Sequence, residues 1–339
     1  MKIYTIRDIA QLAGVSVTTV SRVLNHRPDV NAATREKVER VMADCNFVGN
    51  ANARSLKQLD GEVAALILRG RSNPFLSALA ETMLQFATSA SVSFLMESID
   101  EKDDEFQTAL RLMHEKRAKG FIFMGSRLDE RADVLRGLDV PMVFATVNAA
   151  NASLTRASSV CIDDRRMGRA AMETLIFAGH ERIAVFGGSR TQGDGLADRY
   201  LGARDACLAA NIPWDESRYI ETRFSLQDAY NAARNFFATR GDTTAAFAMS
   251  DLVAMGVIRA LRDMGKRVPE DVSVVGFDGV EMGKYFVPRL STIEQPQEEI
   301  ARQSVDVLLD MMEHNGPVRH LTVEATPVRR ESVAPPRRR

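Results

Sequence analysis

Val17, Thr18 and Arg22 stand within the stretch "GVSVTTVSRVLN", and their types suit the reading of base edges in DNA. An arginine can make two parallel hydrogen bonds to a guanine, and the methyl groups of valine and threonine fit the methyl of thymine. Far along the chain, Asp278 closes the apolar run "VSVVGFD". Aspartate is disfavoured inside strands, so here it either accepts hydrogen bonds from a ligand hydroxyl or caps the following turn. Asp251, in "AMSDLVAMG", sits where a strand runs into a helix and suits a helix cap. No nucleophile–histidine–acid set and no paired catalytic carboxylates stand out. "FGGS" resembles a phosphate loop only faintly, without a P-loop lysine or a G-x-G-x-x-G. Nothing in the pattern points to an enzyme. Cys45, Cys161 and Cys207 are too scattered for a disulfide framework or a zinc site, so neither a metal nor a cofactor is expected.

These residues need elements to position them. In "TIRDIAQLAG", Thr5 is a candidate N-cap, Ile6, Ile9, Ala10 and Ala13 form one apolar stripe, and Gly14 ends the helix. Ser16 then caps a second helix running to about Asn25. Two short helices joined by a tight turn containing glycine are the helix-turn-helix pattern, whose second helix enters the major groove with its first turn on base edges. A small helical bundle with a solvated polar face has the same local signature. "TREKVERVMADCNF" supplies a third helix with Val38, Val41, Met42 and Cys45 on one face. From residue 62 the pattern changes. "EVAALIL" is a near-continuous apolar run, as in a buried parallel strand, and strands then alternate with amphipathic helices, among them "LDERADVLRGL". The alternation starts afresh after residue 160. Two α/β lobes in tandem imply a cleft lined by the C-terminal ends of strands, where small ligands bind.

The chain has 339 residues, 45% hydrophobic and 26% charged, ordinary values for a globular protein of two or three domains. The net charge of −1 is unevenly spread. Residues 1–60 hold nine Lys/Arg against six Asp/Glu, a net +3, and the remainder holds 35 against 39, a net −4. A basic head on a mildly acidic body fits a head that meets a polyanion. The N-terminus lacks the apolar run of a signal peptide, and no run approaches membrane-spanning length. The expectation is a cytoplasmic protein without a membrane partner.

"TIRDIAQLAGVSVTTVSRVLN" and "VNAATREKVERVMADCNF" resemble the DNA-binding head of the lac-repressor/gal-repressor (LacI/GalR) family of bacterial regulators. "SNPF", "AGHERIAVFGG", "SDLVAMGVIRALRDMGKRVPEDVSVVGFDG" and "VPRLSTIEQP" resemble its effector-binding core, so the likeness spans nearly the whole chain. It implies a small all-α helix-turn-helix head (1–48), a hinge helix (49–60), a two-lobed α/β core (61–335) with parallel sheets like those of type 1 periplasmic binding proteins, and a basic tail (336–339) expected to be disordered. The lobes would be discontinuous, with crossings near 161, 291 and 320.

For the head, the resemblance implies base readout by Val17, Thr18 and Arg22, and phosphate contacts from Thr5, Ser16, Thr19, Ser21, Asn25 and Thr34. In the hinge it implies roles for Asn50, Ala53 and Arg54, with Leu56 as a wedge between base steps in the minor groove. Without the likeness, a lone leucine in a polar linker reads as a staple onto the next domain. Gly49 stands where the family often has proline and Asn52 where it often has valine; both disfavour the free hinge helix.

For the core, the resemblance implies effector contacts from Phe75 and Leu76 on one lobe, from Arg199, Ser250, Asp251 and Asp278 on the other, and from Gln295 at a crossing. Taken alone, Arg199 reads as a surface ion pair. Thr146 stands where some sugar-binding members have aspartate. His180 and Trp214 read as structural. The implied partners are a pseudo-palindromic double-stranded operator, a small effector, most simply a sugar, and a second copy of the chain, with the helices "PFLSALAETMLQF" and "AMGVIRALRDM" facing it. Two other functions compete with this reading: a regulator whose core answers to a protein partner, and an enzyme carrying a DNA-binding head.

Overall fold

The computed structural model describes residue 4 and residues 6–24, 30–45, 62–88, 92–128, 130–190 and 195–337. The chain divides into two compact units, Met1–Gly61 and Glu62–Arg339.

Among the described residues the first unit holds three helices, α1 (Ile6–Ala13), α2 (Val17–Leu24) and α3 (Ala32–Asp44). Gly14 follows α1 with φ +61°, a left-handed conformation that glycine adopts without a Cβ penalty. Ser16 caps α2, its Oγ accepting the Thr19 N–H at 3.1 Å. Asn31 caps α3, its Oδ1 accepting the Ala33 N–H at 2.9 Å. Ile9, Ala10, Ala13, Val20, Val23 and Val38 close the core between the helices. Thr5, expected to cap α1, lies outside the described residues, as do Asn25 and the whole expected hinge with Asn50, Ala53, Arg54 and Leu56.

The second unit begins with β1 (Val63–Arg69), α4 (Pro74–Ala87), β2 (Ser93–Ile99), α5 (Glu105–Lys116), β3 (Ala118–Met124), β4 (Met142–Ala145) and β5 (Ala157–Cys161). These strands and β11 (His320–Thr322) form one sheet in the order β11-β5-β4-β3-β1-β2, every neighbour parallel. All seven residues of β1 are buried, which explains its unbroken apolar run. The second lobe follows with α6 (Asp164–Phe177), β6 (Ile183–Gly187), α7 (Gly195–Ala209), β7 (Tyr219–Glu221), α8 (Leu226–Thr239), β8 (Ala245–Ala248), α9 (Asp251–Asp263) and β9 (Ser273–Val275). Its parallel sheet runs β7-β6-β8-β9. A short helix, α10 (Met282–Tyr285), leads into β10 (Thr292–Glu294), which pairs antiparallel with β12 (Thr326–Val328). Between those two strands, α11 (Gln297–Glu313) and β11 return to the first lobe. The chain therefore crosses between lobes three times: after β5, before α11 and after β11.

One expectation needs correction. "LDERADVLRGL" forms only a 3₁₀ segment, Glu130–Leu135. Its buried apolar residues, Ala132 and Leu135, are three apart, which matches three residues per turn better than 3.6. Within α9, which carries "AMGVIRALRDM", ten residues from Asp251 to Leu261 are buried inside the lobe, and Arg259, Arg262 and Asp263 are exposed. His180 is structural, its ring bonded to Thr244 Oγ1, Ser273 Oγ and the Ala334 carbonyl at 2.9–3.0 Å. Trp214 packs edge-on to Tyr200, with ring centroids 5.4 Å apart.

Candidate functional site

On α2, Val20 and Val23 point into the head core. Helical geometry then turns Thr18 and Arg22, four residues apart, to the opposite face, where both are exposed. Val17, at the first position of the helix, is an apolar side chain left 42% exposed. The Ser16 and Thr19 hydroxyls bond each other at 2.9 Å at the N-terminus of α2, and a helix N-terminus attracts anions such as phosphate. Ser21 and Thr34 are partly buried.

The second candidate site is a cleft between the lobes of the core, with a cavity of about 130 Å³. Six of the expected effector residues line it: Phe75, Leu76, Thr146, Arg199, Asp278 and Gln295. Their placement follows from packing. Gly168 on α6 and Gly202 on α7 bring those helices into backbone contact; a Cβ on Gly202 would sit 1.9 Å from the Arg165 carbonyl oxygen, and one on Gly168 2.3 Å from the Arg199 carbonyl oxygen. Arg199 is thereby held against Asp164, its Nε donating to Asp164 Oδ1 at 2.7 Å. Its Nη1 donates to the Met249 carbonyl at 2.8 Å and lies 3.8 Å from Asp278 Oδ1. The guanidinium covers the Phe277 ring at 3.7 Å, a favourable cation–π contact. The bland surface ion pair is thus excluded, since Arg199 is only 8% exposed.

Asp278 sits beyond β9 with φ +114°, and Thr146 beyond β4 with φ +80°. Such conformations are rare for residues with side chains, costing about 1–3 kcal/mol each, and they concentrate at ligand sites. Asp278 Oδ1 accepts from Gln295 Nε2 at 3.0 Å. Among the described residues, its Oδ2 and Gln295 Oε1 are buried without a hydrogen-bond partner, as is Ser126 Oγ, which also lines the cleft. Burial pushes the Asp278 carboxyl up to about 7, with Arg199 pulling the other way. The same burial raises Asp164 to about 6, again against Arg199.

Ser250 and Asp251 do not line the cleft. The Ser250 hydroxyl caps α9, accepting the Val253 N–H at 3.2 Å. Asp251 is fully buried behind the site; it accepts the Val280 N–H at 2.8 Å and the Thr292 hydroxyl at 2.6 Å. Both are taken up in holding the turn that carries Asp278. Sequence reasoning also missed Arg69, Ser126, Asp100, Glu101, Arg223 and Phe224, all of which line the cleft. Each ends a strand of a parallel sheet or sits within three residues of its end, so the strand ends themselves were the available signal.

Comparison with known proteins settles the family. Residues 5–50 match the model of bacterial regulatory proteins of the lacI family, and residues 172–333 match the periplasmic binding protein-like domain. The transcriptional regulator MalR of Clostridium butyricum is 33% identical over 96% of this chain and 98% of its own. The chain belongs to the lacI family. Its fold agrees with that of other family members: the CelR–cellobiose complex superposes with a TM-score of 0.71 at 28% identity, covering 97% of this chain and 99% of that one. The operator-bound lac repressor dimer gives 0.74 at 25% identity over 98% and 100%. This lacI-family chain is accordingly a DNA-binding transcriptional regulator with an effector-type core. Among the described residues no helix is long and apolar enough to cross a membrane.

Proposed function

We propose that this regulator is a repressor that binds a twofold operator as a homodimer and releases or tightens on it when a sugar, or a sugar derivative, occupies the interlobe cleft. The observation that carries the effector reading is the set of unsatisfied buried acceptors, Asp278 Oδ2 and Gln295 Oε1. A buried acceptor without a donor is costly, and the hydroxyls of a sugar supply donors in that arrangement. Phe75, Leu76 and Phe224 give the apolar surface against which the C–H faces of a ring pack. Arg199 donates to a ring or hydroxyl oxygen, and Thr146 stands beside it. The CelR relative is bound to cellobiose, which supports a carbohydrate in this fold.

In the head, Val17, Thr18 and Arg22 read bases, while Ser16, Thr19, Ser21 and Thr34 hold phosphates. Thr5, Asn25 and the hinge residues Asn50, Ala53, Arg54 and Leu56 complete the DNA contact set carried over from the family. The lac repressor relative binds operator as a dimer, which supports the same stoichiometry here. The test is operator affinity, on a site selected from random DNA, titrated with a panel of sugars. A sugar that changes operator affinity supports the proposal. A response only to an added protein partner, with no small molecule stabilising the chain, would reject it.

A further inference from the structure

We infer that the cleft encloses one uncharged sugar ring, and that an Arg223 clasp with Asp100 and Glu101 across its mouth sets the one-ring limit. This rests on the sugar reading above and narrows it. Size is the first argument. A cavity of about 130 Å³ is comparable to the roughly 150 Å³ cavity that encloses one benzene ring, so it takes one ring and not two.

Charge is the second. Three of the four arginines lining the cleft are already matched by carboxylates. Arg69 Nε lies 3.4 Å from Glu105, Arg199 Nε 2.7 Å from Asp164 and Arg223 Nε 2.6 Å from Glu101. The fourth, Arg71, is exposed at the rim, within the field of Asp100. Among the described residues, the buried cleft-lining groups without a hydrogen-bond partner are two acceptors, Asp278 Oδ2 and Gln295 Oε1, the hydroxyl of Ser126, and one donor, Arg69 Nε, and that donor belongs to a guanidinium already matched by Glu105 and bonded to the Gly125 carbonyl. A carboxylate or phosphate on the ligand would face the acceptors of Asp278 and Gln295 instead of donors. A neutral polyol meets them with O–H groups.

The clasp is the third. Arg223 follows β7 in the second lobe, and Asp100 and Glu101 follow β2 in the first. Arg223 Nε donates to Glu101 Oε1 at 2.6 Å and its Nη2 to Asp100 Oδ1 at 3.1 Å. All three side chains line the cleft and remain 27–44% exposed, which places them at its mouth. A second sugar ring would have to leave through that mouth and part the ion pairs. Exposed pairs of this kind are weak singly and screened by salt, so the clasp tunes selectivity and does not lock the lobes.

The experiment is calorimetric titration of the full-length protein with neutral pentoses and hexoses, their uronates and 6-phosphates, and disaccharides containing the same sugars. One neutral monosaccharide should bind at least about tenfold more tightly, 1.4 kcal/mol, than its acid, its phosphate or its disaccharides. Arg223→Ala, and parent protein at 1 M salt, should both narrow the monosaccharide-to-disaccharide ratio, and Arg223→Lys should largely preserve it. An acid, phosphate or disaccharide that binds as tightly as every neutral monosaccharide overturns the inference. So does a ratio unchanged in Arg223→Ala. A nucleobase that binds when no sugar does rejects the sugar reading itself, an outcome distinct from a sugar of the wrong size or charge.

Discussion

Ionised and protonated Asp278 present different faces to a sugar: the first only accepts, the second offers one acceptor in exchange for a donor. The groups that face it are Arg199 from α7, Asp164 from α6, Asp251 from α9, and Gln295 and Asn73 from the crossing and the first lobe. Burial holds its carboxyl near about 7. Hydroxyl donors favour the ionised form, so binding expels a proton and affinity should rise from pH 6 to pH 8, then level off. Titrations at both pH values check this; Asp278→Asn should flatten the difference. Asp278→Ala should abolish the effector response while leaving operator binding without effector unchanged. A mutant still responding at the same concentration would make Asp278 a turn cap. Stability runs the other way. Asp164, Asp278 and Asp251 are raised by burial to about 6, about 7 and about 8, above an unfolded value near 3.9. The folded chain keeps protons that the unfolded chain has released. The unliganded protein should therefore lose stability as pH rises from about 4 to about 8, seen as a lower Tm at pH 8 than at pH 5.

Two helices illustrate how placement decides effect. In α2, Arg22→Ala should weaken operator binding by about 1–3 kcal/mol per half-site and relax preference at one base pair, as loss of a bidentate guanine contact does. Selection from a randomised operator, at one fixed salt concentration, reads this directly, and an unaltered preference would exclude base readout. In α7, Gly202→Ala should destabilise the core by about 1–3 kcal/mol through overpacking, because the new methyl meets the Arg165 carbonyl at 1.9 Å; denaturant unfolding measures it. Effector affinity should fall too, since the α6–α7 contact carries Arg199. Elements of this kind were legible in the sequence wherever burial was uniform, as in β1, or caps were explicit, as at Ser16. The site was half legible. Asp278 announces itself as a charge closing an apolar run, whereas Arg199, which alone reads as a surface ion pair, came only from the family likeness. Arg223 and Phe224 do not announce themselves, because they follow a three-residue strand, Tyr219–Glu221, too short for a pattern. Ser250 and Asp251 misled for the opposite reason: a capping pair and a ligand pair at a strand-to-helix turn use the same residue types.

Across the whole molecule, effector and operator must influence each other equally. If a sugar changes operator affinity by some factor, operator must change sugar affinity by that factor. A coupling of about 1–3 kcal/mol is typical. Titrating sugar into the protein with and without saturating operator should return the reciprocal factor, and unequal factors would mean that one titration was not at equilibrium or that the oligomeric state differed between the two. Leu56→Ala offers a complementary reading. It should reduce operator bending in a phasing assay while leaving sugar affinity of the DNA-free protein unchanged.

The three crossings between lobes also bear on how the chain is made. The first lobe's sheet is finished only when β11, His320–Thr322, reaches the edge of β5, and α11 must first cover β3, β4 and β5. A ribosome adding about 5–20 residues per second takes roughly 8–30 s to travel from the end of β5 to the end of β11. Through that interval the nascent first lobe shows water an open parallel strand edge and an uncovered apolar sheet face, both prone to wrong pairing. The second lobe, most of whose strands and helices emerge consecutively, is exposed for less time. Anything that stalls translation between residues 162 and 322 therefore leaves the earlier-made half, not the later one, in need of a chaperone.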